Sequence, residues 1–257
     1  MQERTVDIQT GAGTMNTYIY HPDGDGPFPV VVMYMDSIGV REELADMCRR
    51  IATTGYYVIM PNLYYRTHRS VDIDPTRILD PAYHEKFVLL WDLIGALSNR
   101  MVEEDTAVLF DFIDGERHAR NGPLGIVGYC MSGPFVFRLA GAYPERVACS
   151  ASVYGVHLVT DQPDSPHLLA GRIRGEMYFA CAEHDKYVEA AELDALRRVI
   201  ADTGINGRVE IYEQRDHGFA FPARKAFHKG ATERHWERLF DMFDRTVRNA
   251  PRQEAVA

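Results

Sequence analysis

Positive charge is scarce in this chain. Its 257 residues carry 28 Lys and Arg against 37 Asp and Glu, a formal net charge of −9. That balance argues against nucleic acid and anionic membrane as partners, because both are met by clustered cations. Cysteine is sparse as well: Cys48, Cys130, Cys149 and Cys181 lie far apart, with no C-x-x-C pair. A disulfide framework is disfavoured, and reduced thiols point to a reducing, cytoplasmic setting. No apolar run approaches the roughly 20 residues of a membrane span. The opening Met-Gln-Glu-Arg-Thr-Val-Asp lacks the apolar core and cleavage pattern of a signal peptide. There is no G-x-G-x-x-G after the first strand-like run and no P-loop, so a dinucleotide or nucleoside triphosphate site is disfavoured. Without a helical His-x-x-x-His pair or Cys/His ligand spacing, a metal is disfavoured too. No cofactor is expected. No repeat, low-complexity tract or linker divides the chain, so the reading is one domain over residues 1–257.

What is present is an alternation. Residues 5–10 and 14–21 alternate apolar and polar across Gly11-Ala-Gly13, a hairpin signal. Residues 29–35 are continuously apolar, the profile of a strand covered on both faces. Residues 42–54 show helical spacing at Leu44, Met47, Cys48 and Ile51, ended by Gly55. Residues 56–60 read as a second buried strand, broken by Pro61. Residues 65–81 are polar and without period, an irregular loop over one end of the sheet. Two helical patterns, 81–97 and 103–113, precede a strand at 124–128. Further strands are predicted at 148–154, 176–182 and 208–212, with a helix at 188–203 stopped by Gly204. A final helix is predicted from about 223 to 247, with a face at Trp236, Leu239, Phe240, Phe243 and Val247. This order predicts an α/β fold: a mostly parallel central sheet, an N-terminal antiparallel hairpin and helices on both faces.

The richest stretch is Pro123-Leu-Gly-Ile-Val-Gly-Tyr-Cys130-Met-Ser-Gly133. It reads as strand, sharp turn and helix, with a thiol at the apex. Such a turn holds one side chain beyond the sheet edge on a strained backbone and aims backbone N–H groups at a bound group. A Cβ at Gly128 would collide within the turn. Ser132 stands where glycine is usual.

Ligands sit at the carboxyl ends of parallel strands. Those ends present Asp36-Ser37, then Cys130, then Glu183-His184-Asp185, then Asp216-His217-Gly218-Phe219. Nucleophile, acid and histidine in that order match an α/β-hydrolase triad of Cys130, Asp185 and His217. A thiol attacks poorly until it loses its proton. His217 can take that proton and return it to a leaving group, and Asp185 can fix the ring's tautomer. The backbone N–H groups of Met131 and Ser37 would meet the developing oxyanion.

These residues resemble the dienelactone hydrolase family. The likeness spans roughly residues 15–245 and includes Asp36-Ser-Ile-Gly-Val40, Gly128-Tyr-Cys-Met-Ser-Gly133, Pro61-Asn-Leu-Tyr-Tyr-Arg66, Tyr154-Gly155, Asp185 and His217-Gly-Phe219. It implies the α/β-hydrolase fold and a thiol that attacks an enol lactone or related ester. It also implies that a carboxylate at Asp36 keeps the resting cysteine unreactive; the founding enzymes have Glu there. Phe221 stands where those enzymes place an arginine that holds a substrate carboxylate. An aromatic ring cannot form that pair, so a less charged or more apolar ester is expected.

Plainer readings accompany these. Cys48, Cys149 and Cys181 read as buried structural thiols. Glu183 competes with Asp185 for the acid role, and His184 reads as a surface neighbour. Ser132 is not a nucleophile, because a serine elbow would need glycine where Cys130 stands. Tyr129, Arg66 and His157 are candidates for the pocket wall, with structural roles as the alternative; Tyr64 and Tyr65 read as packing. The expectation is a cysteine hydrolase of a small-molecule ester or lactone, working through a thioester as a monomer or homodimer. The alternatives are a binding or sensing protein of the same fold, and a promiscuous hydrolase of other activated acyl or phosphoryl bonds.

Overall fold

The computed structural model describes residues 1–78 and 80–249. Leu79, within the expected 65–81 loop, and residues 250–257, the end of the expected single domain, lie outside the described residues. Eight strands make one sheet: β1 (Gln2–Thr10), β2 (Gly13–His21), β3 (Val30–Tyr34), β4 (Tyr57–Pro61), β5 (Leu124–Tyr129), β6 (Val147–Val153), β7 (Glu176–His184) and β8 (Gly207–Asp216). Their spatial order is β1-β2-β4-β3-β5-β6-β7-β8. β1, β2 and β4 pair antiparallel, and every pairing from β4 through β8 is parallel. The α/β reading with an N-terminal antiparallel hairpin therefore describes this molecule. β3, β4 and β5 are buried along their whole length. Helices cover both of their faces, which is why the sequence there is apolar without alternation.

The helices are α1 (Glu42–Thr53), α2 (His84–Gly95), α3 (Asn99–Asp114), α4 (Gly133–Ala142), α5 (Ala190–Thr203) and α6 (Lys229–Phe243). α1 buries Leu44, Met47, Cys48 and Ile51, the stripe its spacing predicts. α3 starts four residues before its apolar pattern, because the Ser98 side chain accepts from the Met101 N–H at 3.2 Å and caps it. α6 starts at Lys229, not near 223. His228 caps it by accepting from the Ala231 N–H at 3.1 Å, and the Ala223 N–H is already committed to Glu43 on α1 at 2.8 Å. β7 and β8 run past their apolar residues, with His184 in register with Asp216. Strand pairing there is carried by the backbone, which hydrophobicity does not report. Among the described residues no helix is long and apolar enough to cross a membrane.

Candidate active site

β5 ends at Tyr129 and α4 begins at Gly133, with a single turn, Cys130–Ser132, between them. Cys130 has φ 54°, a left-handed conformation that costs a residue with a side chain about 1–3 kcal/mol. Two glycines make room for it. A Cβ on Gly128 would stand 2.5 Å from the Ser132 carbonyl oxygen and 2.8 Å from Val136 Cγ1; one on Gly133 would overlap Gly155 and Ser152. Ser132 is buried, and its hydroxyl donates to the Met35 carbonyl at 2.5 Å. It is a strut between the elbow and the end of β3.

The carboxyl ends of β7 and β8 supply the partners. Asp185 Oδ2 accepts from His217 Nδ1 at 2.7 Å, and Asp185 Oδ1 accepts from the Tyr187 N–H at 3.0 Å. A carboxylate can only accept, so Nδ1 carries a proton and the other ring nitrogen is left for Cys130. Burial pushes the His217 ring toward its neutral form. The negative charge and hydrogen bond of Cys130, together with those of Asp185, outweigh burial and lift its pKa from 6.5 to about 9. Tyr154 and Tyr187 hold the ring at centroid separations of 5.0 and 4.8 Å. Glu183 is occupied elsewhere, accepting from the Gln214 N–H at 2.5 Å, and His184 is exposed. Cys130 is partly accessible, whereas the other three cysteines are buried. Burial pushes the thiols of Cys149 and Cys181 up to about 12, and that of Cys48 up as well.

The two expected oxyanion donors, the Met131 and Ser37 N–H groups, lie at the starts of the loops that follow β5 and β3. Met131 lies in the first turn of a helix, where backbone N–H groups have no intrahelical partner. Among the described residues none engages the Ser37 N–H. Tyr64, read as packing from sequence, does more: its hydroxyl donates to the Ser37 carbonyl at 2.7 Å and lies 3.4 Å from Met131 Sδ. It ties the Ser37 loop to the Met131 turn.

Several expected pocket residues have other partners. Asp36 is 1% exposed. Its carboxylate accepts from Arg41 at 2.5 and 3.3 Å, from Arg224 at 3.3 Å and from the Ile38 N–H at 3.2 Å. Among the described residues its hydrogen-bond partners are the two guanidinium groups and the Ile38 N–H. Phe221 is buried with the Arg41 guanidinium 5.0 Å above its ring and Tyr129 at 5.3 Å. Tyr129 points away from the site: its hydroxyl meets His235 Nε2 on α6 at 3.2 Å. Arg66 is held by Asp105 on α3 at 2.7 and 2.9 Å. His157 is exposed and acts electrostatically on Glu192. Arg41 and Arg224 escaped the sequence reading; neither ends a strand, and only the fold brings them to Asp36. Among the described residues no group of three or more His, Cys, Asp or Glu is arranged to hold a metal ion.

Sheet order, elbow and acid–histidine pair together define the α/β-hydrolase class. The model of the dienelactone hydrolase family matches residues 15–247. The chain belongs to that family, and with it to the hydrolases of carboxylic ester or lactone type. It is 27% identical over 254 residues to a Yersinia pestis protein that carries the name carboxymethylenebutenolidase, covering 94% of this chain and 86% of that one. A Methylorubrum extorquens protein of the same name is 25% identical over 242 residues, covering 93% and 79%. A Klebsiella pneumoniae protein whose crystal structure carries the name dienelactone hydrolase superposes with TM-score 0.80 at 21% identity, covering 94% and 98%. A metagenomic protein described as a dienelactone hydrolase-like promiscuous phosphotriesterase gives 0.75 at 17%, covering 96% and 98%. These two structural likenesses speak to the fold.

Proposed function

We propose that this chain cleaves a carboxylic ester or lactone through a thioester on Cys130. The observation that carries the reading is one histidine shared by two partners: His217 takes Asp185 at 2.7 Å on one nitrogen and Cys130 on the other side. The raised pKa of the ring favours its charged form, and in general a cation beside a cysteine favours the attacking form of its sulfur.

Cys130 Sγ bonds to the carbonyl carbon. The N–H groups of Met131 and Ser37 hold the oxyanion; losing one such donor costs about 10²–10³ in rate. As the carbon–oxygen bond breaks, His217 gives its proton to the leaving alkoxide. Water then attacks the thioester while His217 takes its proton, and the acid leaves as sulfur departs as thiolate beside the charged ring, restoring the starting state. Esters are favoured over amides, because the tetrahedral intermediate expels a thiolate more easily than an amine. The names of the relatives and the buried Phe221 support a lactone or ester without a carboxylate at that position. The unpaired thiols support a reducing, cytoplasmic setting.

Hydrolysis of 4-nitrophenyl acetate by wild type and by Cys130→Ala tests the reading. The variant is expected to lose at least about 10³-fold in kcat/KM, and intact-mass analysis of the wild type is expected to show an acyl group on Cys130. Equal rates would overturn it.

A further inference from the structure

Among the described residues, two hydrogen-bond donors near the triad have nothing to donate to. Tyr154 follows β6 at φ 36° and is 1% exposed. Its ring packs 5.0 Å from His217, 5.2 Å from Phe219 and 6.0 Å from Phe221. Its buried hydroxyl has no partner among the described residues. Arg224 comes from the loop that carries His217; its Cγ lies 3.6 Å from where a Cβ on Gly218 would stand. One terminal nitrogen donates to Asp36, yet Nε is buried and unpartnered among the described residues. Both side chains flank His217: the Tyr154 ring packs on it, and the Arg224 stem lies against Gly218, the next residue; Arg224, Cys130 and Asp36 also bear electrostatically on the Tyr154 hydroxyl. Leaving a buried donor unmatched costs about 1–3 kcal/mol, and two together call for an acceptor that arrives with the substrate.

Charge decides the kind of acceptor. Arg41 and Arg224 face the carboxylates of Asp36 and Glu43, so no positive charge is left over for an anion. Asp185 adds negative charge on the other side of His217. A neutral oxygen needs only the donors, and Phe221 supplies an apolar wall beside them. We infer that Tyr154 Oη and Arg224 Nε form a two-pronged donor site for a neutral oxygen, such as an ether, keto or hydroxyl oxygen, on the acyl part of the substrate. This deepens the hydrolase reading and rests on it for the position of the acyl group.

The test is a pair of esters that differ by one atom: 4-nitrophenyl methoxyacetate and 4-nitrophenyl butanoate. Each kcat/KM is divided by the ester's hydroxide-catalysed rate. Wild type is expected to prefer the methoxy ester, and Tyr154→Phe to reduce that preference about fivefold to tenfold. Arg224→Lys keeps a cation on Asp36 while removing Nε; it is expected to reduce the preference similarly and decides the matter should Tyr154→Phe not fold. An unchanged preference in the folded variants overturns the assignment. So does a preference for 4-nitrophenyl hemisuccinate that Tyr154→Phe abolishes, since that would assign the donors to a carboxylate.

A second readout needs no turnover: ligand-observed NMR of methoxyacetamide and butanamide with the Cys130→Ala protein. Tighter binding of methoxyacetamide, lost when Tyr154→Phe is added, supports the donor site even if Cys130 proves dispensable for hydrolysis. Equal binding of the two amides overturns it.

Discussion

The proton on His217 is set by its neighbours. Burial alone would drive it off, but the opposing influence of Cys130 and Asp185 holds it to about pH 9. Deleting the sulfur removes one of the raising causes. In Cys130→Ala the imidazole titration followed by NMR is therefore expected to move down from about 9; a midpoint that stays there would mean Asp185 suffices. The same shift bears on stability. A base whose folded pKa exceeds its unfolded value stabilises the fold fully below about 6.5, and that contribution is lost as pH rises through about 9. Cys130→Ala is expected to lose less stability across that window than wild type. The three residues of the proposed triad were legible because each ends a strand-like run. Tyr64 and Arg224 were not, because their roles are contacts between segments remote in sequence; Arg41 was not, because its pairing with Asp36 and Glu43 depends on how the loop folds back on itself.

At the scale of elements, the turn at Cys130 is the feature most exposed to single changes. Gly128→Ala places a methyl group 2.5 Å from the Ser132 carbonyl oxygen and 2.8 Å from Val136 Cγ1. Neither β5 nor α4 can retreat easily, since β5 is buried along its whole length and α4 along most of its own. The expected cost is about 1–3 kcal/mol or more, read as a lower urea midpoint, with esterase activity falling alongside. Gly11→Ala, with nothing within 4 Å of the added carbon, is the control and is expected to stay within about 0.5 kcal/mol. Boundaries were the least legible part of the elements. Caps such as Ser98 and His228 act through one hydrogen bond, and edge-strand extensions through backbone pairing, so neither leaves an apolar period.

Across the whole molecule, the active-site loops are latched together. Arg41 joins Asp36 to Glu43, Arg224 joins Asp36 to the histidine loop, and Glu43 accepts from the Ala223 N–H of that same loop. From below, Tyr129 ties the elbow to α6 through His235. The Thr232 carbonyl accepts from His235 Nδ1 at 2.5 Å, so Nε2 is free to accept from the Tyr129 hydroxyl. Burial drives the pKa of His235 down to about 4. Its folded value is depressed, so the stability it contributes is present above about 6.5 and lost as pH falls toward 4. Urea unfolding is expected to show that loss, at up to about 1.4 kcal/mol per pH unit, and His235→Gln is expected to flatten it. A slope unchanged in the variant would assign the acid sensitivity to other groups.

The sequence by itself determined the alternation of elements, the strained turn and the order of nucleophile, acid and histidine. Those follow from side-chain periodicity and from which residue ends each strand, and both are local. Only the tertiary structure decided what Asp36 faces, that Tyr129 and Arg66 are structural, and that, among the described residues, Tyr154 and Arg224 leave two donors open beside His217. Those outcomes depend on which loops the sheet order β3-β5-β6-β7-β8 brings side by side. Electrostatics and hydrogen bonding act over a few ångströms of space, whatever the distance along the chain.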